Sequence, residues 1–286
     1  MSQFDWQNVV EHLRVIEPFY YVHNSGNAGD TLIYKGMLAL FKQHDLRYTE
    51  WSSGLPANGP RHLVFSGGGN LVPLYDRCRD LIEREFDGLD SFTLLPHTID
   101  GNEELLRKLD NRFTLFCRER LSFEHCKQHV EGGARVELSH DLAFALVVDR
   151  LRFSKQAKRA YPRVGIDRQL KWWKKKQLTE RYLRHGGVQF LRTDKEALTI
   201  PSEKNLDLSE MLSALQRRRE QRLRIADTFL HYVDRAERVV TDRLHVAIAG
   251  AILGKPTELY SGSYYKNEAV YAHSIAEQFP HVSFCS

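Results

Sequence analysis

The chain has 286 residues, 42% hydrophobic and 27% charged, with 41 Lys and Arg against 37 Asp and Glu for a net charge of +4. This composition excludes a disordered or collagen-like chain, and so small a surplus does not mark a nucleic-acid binder. The longest apolar stretches, residues 142–148 and 246–253, fall far short of the roughly 20 residues that cross a bilayer.

Asp5 and Glu11 stand where a secretory leader needs a basic start and then an apolar block, so a cytoplasmic protein is expected. Cys78, Cys117, Cys126 and Cys285 show no CxxC spacing, and reduced thiols without a structural metal are expected. Short apolar runs then alternate with amphipathic helical patterns, as in parallel sheets flanked by helices. Strands are predicted over residues 19–23, 62–65, 91–95, 113–117, 164–166, 187–191 and 238–241. Helices are predicted over 31–44, 102–109, 119–130 and 208–236, the last kinked or split. An apolar helix follows RVVT and stops at Gly254 with Pro256 beyond. The polar, basic stretch 149–163 marks a boundary between two α/β domains, 1–150 and 151–286, with the cleft between them as the default ligand site.

The chemistry-bearing residues gather at predicted strand ends. The turn NSGNAGD, with Gly26, Asn27 and Gly29, lies between a strand and a helix, where backbone amides can hold an anion or a sugar hydroxyl. Asp30 either caps that helix or polarises a hydroxyl. A second run, Gly67, Gly68, Gly69 and Asn70, implies a backbone passing close to a ligand or a second loop. His97 ends LLPH and is either a general base or a histidine satisfied by loop backbone. Arg118 follows the strand FTLFC and suits carboxylate or phosphate recognition, or else an ion pair. Asp141, after His140, is an N-cap or an active-site acid. Arg192 opens the polar cluster RTDKE. The sharpest pattern is Thr241-Asp-Arg-Leu-His: Arg243 and His245 in the first turn of an apolar helix form a candidate anion clamp, joined by the loop cation Lys266.

GNAGD, SGGGN, LPHTI, FCRERLS, SHDLAFA, FLRTDKE and TDRLHVAIAGAILGKP followed by SYYKN, in this order over essentially the whole chain, resemble the polysaccharide pyruvyl transferase family. The resemblance implies two Rossmann-like domains in a glycosyltransferase-B-like arrangement with a central cleft. It also implies transfer of the enolpyruvyl part of phosphoenolpyruvate to a sugar, leaving a pyruvate ketal and phosphate, with no cofactor and no metal. By the same resemblance Arg243 and His245 contact the donor's phosphate or carboxylate, and Arg118 and Lys266 match cationic positions of the family. His97 stands where some relatives have glutamine. The acceptor is a polysaccharide sugar or its lipid-linked precursor. Proton transfer is expected from His245 or His97, and orientation of an acceptor hydroxyl from Asp30 or Asp141.

The basic stretch QLKWWKKKQ, with Lys171, Lys174, Lys175 and Lys176 beside Trp172 and Trp173, has three readings: contact with an anionic membrane face, stacking on the acceptor sugar, or core packing under solvated lysines. Two other functions compete, a nucleotide-sugar-dependent glycosyltransferase and a catalytically silent glycan-binding relative.

Overall fold

The structure, a computed structural model, describes residues 4–24, 26–51, 54, 59–159, 176–183, 188–194, 196–198, 202–213 and 218–286. The chain divides into two compact units, Met1–Asn24 with Gly36–Ala145, and Ser25–Lys35 with Leu146–Ser286. The main division falls at 145/146. The NSGNAGD turn spans the edge of this division: Asn24 belongs to the first unit, and the rest of the turn groups with the second.

The first unit is built on seven parallel strands: β1 (Phe19–Val22), β2 (Tyr48–Glu50), β3 (His62–Phe65), β4 (Gly68–Leu71), β5 (Ser91–Ile99), β6 (Phe113–Cys117) and β7 (Arg135–Leu138). Their order is β2-β1-β3-β5-β6-β7, with β4 also paired to β5. Every residue of β6 is buried, as in a parallel strand covered on both faces. Leu63, Phe65, Phe92, Leu94 and Leu115 join Ile82 and Leu106 of the flanking helices Arg77–Glu85 and Glu103–Lys108 in one core. Pro96 has no N–H to give, and it falls where the pairing of β5 with β6 shifts register between Leu94 and His97. The strand order turns back between β1 and β3, so the segments leaving these two strands border the place where open parallel sheets bind ligands.

In the second unit β8 (Val239–Thr241), β9 (Thr257–Tyr260) and β10 (Val282–Cys285) run parallel in the order β10-β9-β8. Phe190 bridges to Thr241 and Gln189 to Asn205, both in parallel sense, so part of the predicted 187–191 strand survives as two bridge residues. The predicted strand 164–166 lies outside the described residues, as do Lys171, Trp172, Trp173, Lys174 and Lys175; Lys176 opens a helical segment, 176–183. The long helix is split into Leu208–Ser213 and Arg219–Arg235. The helix Leu244–Leu253 is apolar all round and buried on nearly every side, and Gly254 ends it at φ +69°, a conformation glycine adopts without a Cβ penalty. Among the described residues no helix is long and apolar enough to cross a membrane.

Candidate functional site

The carboxyl edge of the second unit's sheet gathers the expected cations, and it gathers carboxylates with them. Thr241 ends β8, and its hydroxyl accepts the Arg243 amide at 3.0 Å, setting Arg243 as the N-cap of Leu244–Leu253. The Arg243 guanidinium, nearly buried, pairs with Asp194 at 2.9 Å and also with Asp207. Arg192 donates through Nε to Asp194 at 3.0 Å and through Nη1 to Glu196 at 2.7 Å. Lys266 lies 3.6 Å from Glu196. Asp207 also accepts the Thr193 amide, and Asp242 accepts the Arg192 amide. Burial alone would raise the Asp194 pKa, but Arg243 and Arg192 overcome it and hold the carboxyl below its ordinary range. Burial pushes Asp242 up. The sequence anticipated a cluster of cations open to an anion; the structure shows those cations already matched by acidic side chains of the same unit.

His245, two residues beyond Arg243, meets the NSGNAGD turn. A Cβ at Gly29 would stand 2.6 Å from His245 Nδ1, so only glycine allows this approach. The turn is locked from within: the Asn27 side chain accepts the Gly29 amide at 2.8 Å, Asn27 O accepts the Asp30 amide, and Ala28 N–H donates to Ser209 O and Ser213 Oγ of the helix Leu208–Ser213. The amides of Ala28, Gly29 and Asp30 are thus spent inside the unit. Asp30 is the first helical residue rather than the cap, and its carboxylate folds over Gly26, where a Cβ would collide with it.

In the first unit the expected residues sit deeper. Arg118, 1% exposed, donates to Asp141 at 2.7 Å and to Thr98 Oγ1 at 2.8 Å, while Asp141 also accepts the Ala143 amide. This pair ties the ends of β6 and β7 to β5. His97 is wholly buried in β5, and its Nε2 accepts the Asn70 amide at 2.7 Å. Burial, with Arg118 nearby, lowers its pKa from 6.5 to about 3, so the ring is neutral across the physiological range. The run Gly67, Gly68, Gly69 and Asn70 is not a loop: it leads into β4, with Gly68 at φ +142° paired to His97. The Asn70 side chain donates to Asn24, which links the segments leaving β1 and β3. At the ends of the same two strands a cavity of about 440 Å³ is lined by Val22, Trp51, Phe65, Arg77, Leu81 and Arg84, together with Gly54 and Glu85. The Arg84 guanidinium lies 5.8 Å over the Trp51 ring. Neither this cavity nor Asp207 carried a signal in the sequence, since each depends on residues far apart in the chain.

The model of the polysaccharide pyruvyl transferase family matches residues 27–259. A putative pyruvyl transferase of Bacillus subtilis (strain 168), EpsO, is 26% identical over 295 aligned positions, covering 89% of this chain and 84% of that protein. The crystal structure of a functionally uncharacterized protein from Klebsiella pneumoniae is similar at a TM-score of 0.75 and 26% identity, over 98% of this chain and 96% of that one. The motifs that carry the candidate site, from Asn27 through Tyr260, thus lie almost wholly within the matched span, and the chain belongs to the polysaccharide pyruvyl transferase family.

Proposed function

We propose that the chain moves the pyruvyl group of phosphoenolpyruvate onto two hydroxyls of a polysaccharide sugar, or of its lipid-linked precursor, forming a ketal and releasing phosphate. The observation that carries this reading is Asp194, a carboxylate held between Arg192 and Arg243. Two guanidinium groups converging on one carboxylate are built for an anion carried on a small skeleton, because each planar fork gives directed, charge-assisted bonds. The donor's carboxylate or phosphate takes the place of Asp194, and Lys266 supplies a further positive charge. No cofactor is required.

The chemistry needs a proton delivered to the donor's methylene carbon, which leaves positive charge at the neighbouring carbon. A sugar hydroxyl adds there and gives up its proton; the bond from that carbon to the phosphate oxygen breaks and phosphate leaves with the bonding pair; a second hydroxyl adds, gives up its proton and closes the ketal. We assign proton transfer to His245, held against Gly29, and the orientation of a hydroxyl to Asp30 on the same turn. His97, neutral and bonded to Asn70, and the Arg118–Asp141 pair are positioning groups that fix the strand ends of the first unit. The parallel sheet of each unit, taken by itself, supports a Rossmann-like reading of that unit, and the cavity at the ends of β1 and β3 is the acceptor's place by this reading.

The test is direct. Purified chain incubated with phosphoenolpyruvate and candidate glycans releases phosphate, and phosphoenolpyruvate raises the thermal midpoint where nucleotide sugars do not. Stabilisation by nucleotide sugars alone would overturn the choice of donor.

A further inference from the structure

Away from this machinery, the first unit brings together three side chains with the chemistry of a transition-metal site. The chain leaves β5 through Gly101 and Asn102, both at positive φ, and turns at once into the helix Glu103–Lys108 with Glu103 in its first turn. The helix Arg120–His129 packs beside it and carries His125 and His129, four residues apart and therefore on one face. Their ring centroids are 4.7 Å apart. One ligand atom from each of Glu103, His125 and His129 lies within 4.8 Å of the other two, and all three residues are half-buried. Sequence reading passed over the group because its ligands are histidines and a glutamate from two separate helices, not clustered cysteines.

The hydrogen bonding of His125 adds a second, independent feature. Its Nε2 stands 2.9 Å from the carbonyl oxygen of Gly101. A carbonyl can only accept, so Nε2 carries the proton and the lone pair is on Nδ1. With Nδ1 as the ligating atom, this bond to a backbone carbonyl is the usual outer support of a metal ligand, one that fixes the tautomer and the ring orientation. Here that support comes from the same turn that presents Glu103.

We propose that Glu103, His125 and His129 form a binding site for one divalent ion of the zinc class. Two imidazoles and a carboxylate suit zinc, cobalt, nickel or copper better than calcium or magnesium, which prefer oxygen donors alone. Tetrahedral coordination at about 2.0–2.1 Å places donor atoms roughly 3.4 Å apart, so side-chain rotations on the order of 1 Å close the present arrangement. Three protein ligands leave a fourth position for water. The ion clips the turn after β5 to the helix after β6. That helix begins at Glu119, which caps it by accepting the Ser122 amide and hydroxyl, and Ser122 Oγ in turn accepts the Ile99 amide at 2.7 Å. The site therefore braces the strand ends where Arg118 sits and takes no part in the transfer chemistry.

The experiment uses the full chain freed of metal by a chelator and titrated with zinc chloride in a calorimeter, with cobalt as a spectroscopic probe. One equivalent of zinc binds with a dissociation constant of about 10 µM or tighter, the thermal midpoint rises, and cobalt gives the visible bands of a four-coordinate nitrogen and oxygen site. His129→Gln and Glu103→Gln each weaken zinc binding at least about tenfold, while their thermal midpoints without metal stay near that of the parent, which separates loss of ligand from loss of fold. Absence of saturable binding up to about 100 µM zinc, affinity unchanged in His129→Gln, or the intense ultraviolet bands of cobalt bound to thiolate would each overturn the proposal.

Discussion

Arg243 holds the carboxylate of Asp194 at 2.9 Å, and Arg192 holds the same carboxylate at 3.0 Å from a second side. On the proposed function, an incoming donor anion competes with this side chain for both guanidinium groups. Asp194→Asn removes the competing charge while keeping the shape, so the KM for phosphoenolpyruvate should fall about fivefold, the equivalent of about 1 kcal/mol, with kcat little changed. Steady-state phosphate release measures it. A rise in KM would show instead that Asp194 orients the arginines and is not displaced.

The proposed function gives Arg243 two roles, and a pair of variants separates them. Arg243→Ala leaves Asp207 buried without its charged partner, which costs about 3 kcal/mol of stability, and it should also abolish donor-dependent stabilisation of the fold. Arg243→Lys keeps the charge but not the planar fork, so the fold is largely retained while kcat/KM falls at least about tenfold. Full turnover in Arg243→Lys would remove the guanidinium from the donor site.

Much of this architecture is legible in the sequence because its signals are local. FTLFC, buried at every position, is a continuous apolar run; LHVAIAGAIL followed by Gly254 is a buried helix with its C-cap; the TDRLH junction sits at a strand end as its pattern requires. What escaped depends on distance in the chain. Asp207 meets Arg243 across 36 residues and gives no periodic trace. SGGGN reads as a loop because three glycines weaken strand propensity, yet pairing with His97 makes it β4. The turn around Gly29 is legible in its glycines, whereas the bonds of its amides to Asn27 and to the helix Leu208–Ser213 leave no local trace.

Gly29 offers a steric test of where His245 must stand. In Gly29→Ala the added methyl falls 2.6 Å from His245 Nδ1 and 2.9 Å from its Cβ, so the imidazole has to move. The expected result is a fall in kcat of at least about tenfold, for loss of a placed proton-transfer group, with a stability change no larger than about 2 kcal/mol. Turnover and urea unfolding on the same preparation decide the matter. An unchanged kcat would mean that the position of His245 against the turn is irrelevant to proton transfer.

His97 gives the fold a specific sensitivity to acid. Unfolded, its imidazole takes up a proton near pH 6.5; folded, burial and the nearby Arg118 delay this to about 3. The unfolded chain therefore binds the extra proton throughout that window, and the stability due to the neutral ring, complete above pH 6.5, drains away by about 1.4 kcal/mol per pH unit as the pH falls toward 3. His12, lowered to about 4 mainly by burial, acts in the same direction. His97→Gln retains an acceptor for the Asn70 amide but does not titrate. The advantage of the parent over this variant should therefore shrink by about 2 kcal/mol between pH 7 and pH 5, with the contribution of His12 cancelling in the difference. Urea unfolding at both values measures it, and a difference independent of pH would mean that the native ring accepts its proton as readily as the unfolded one.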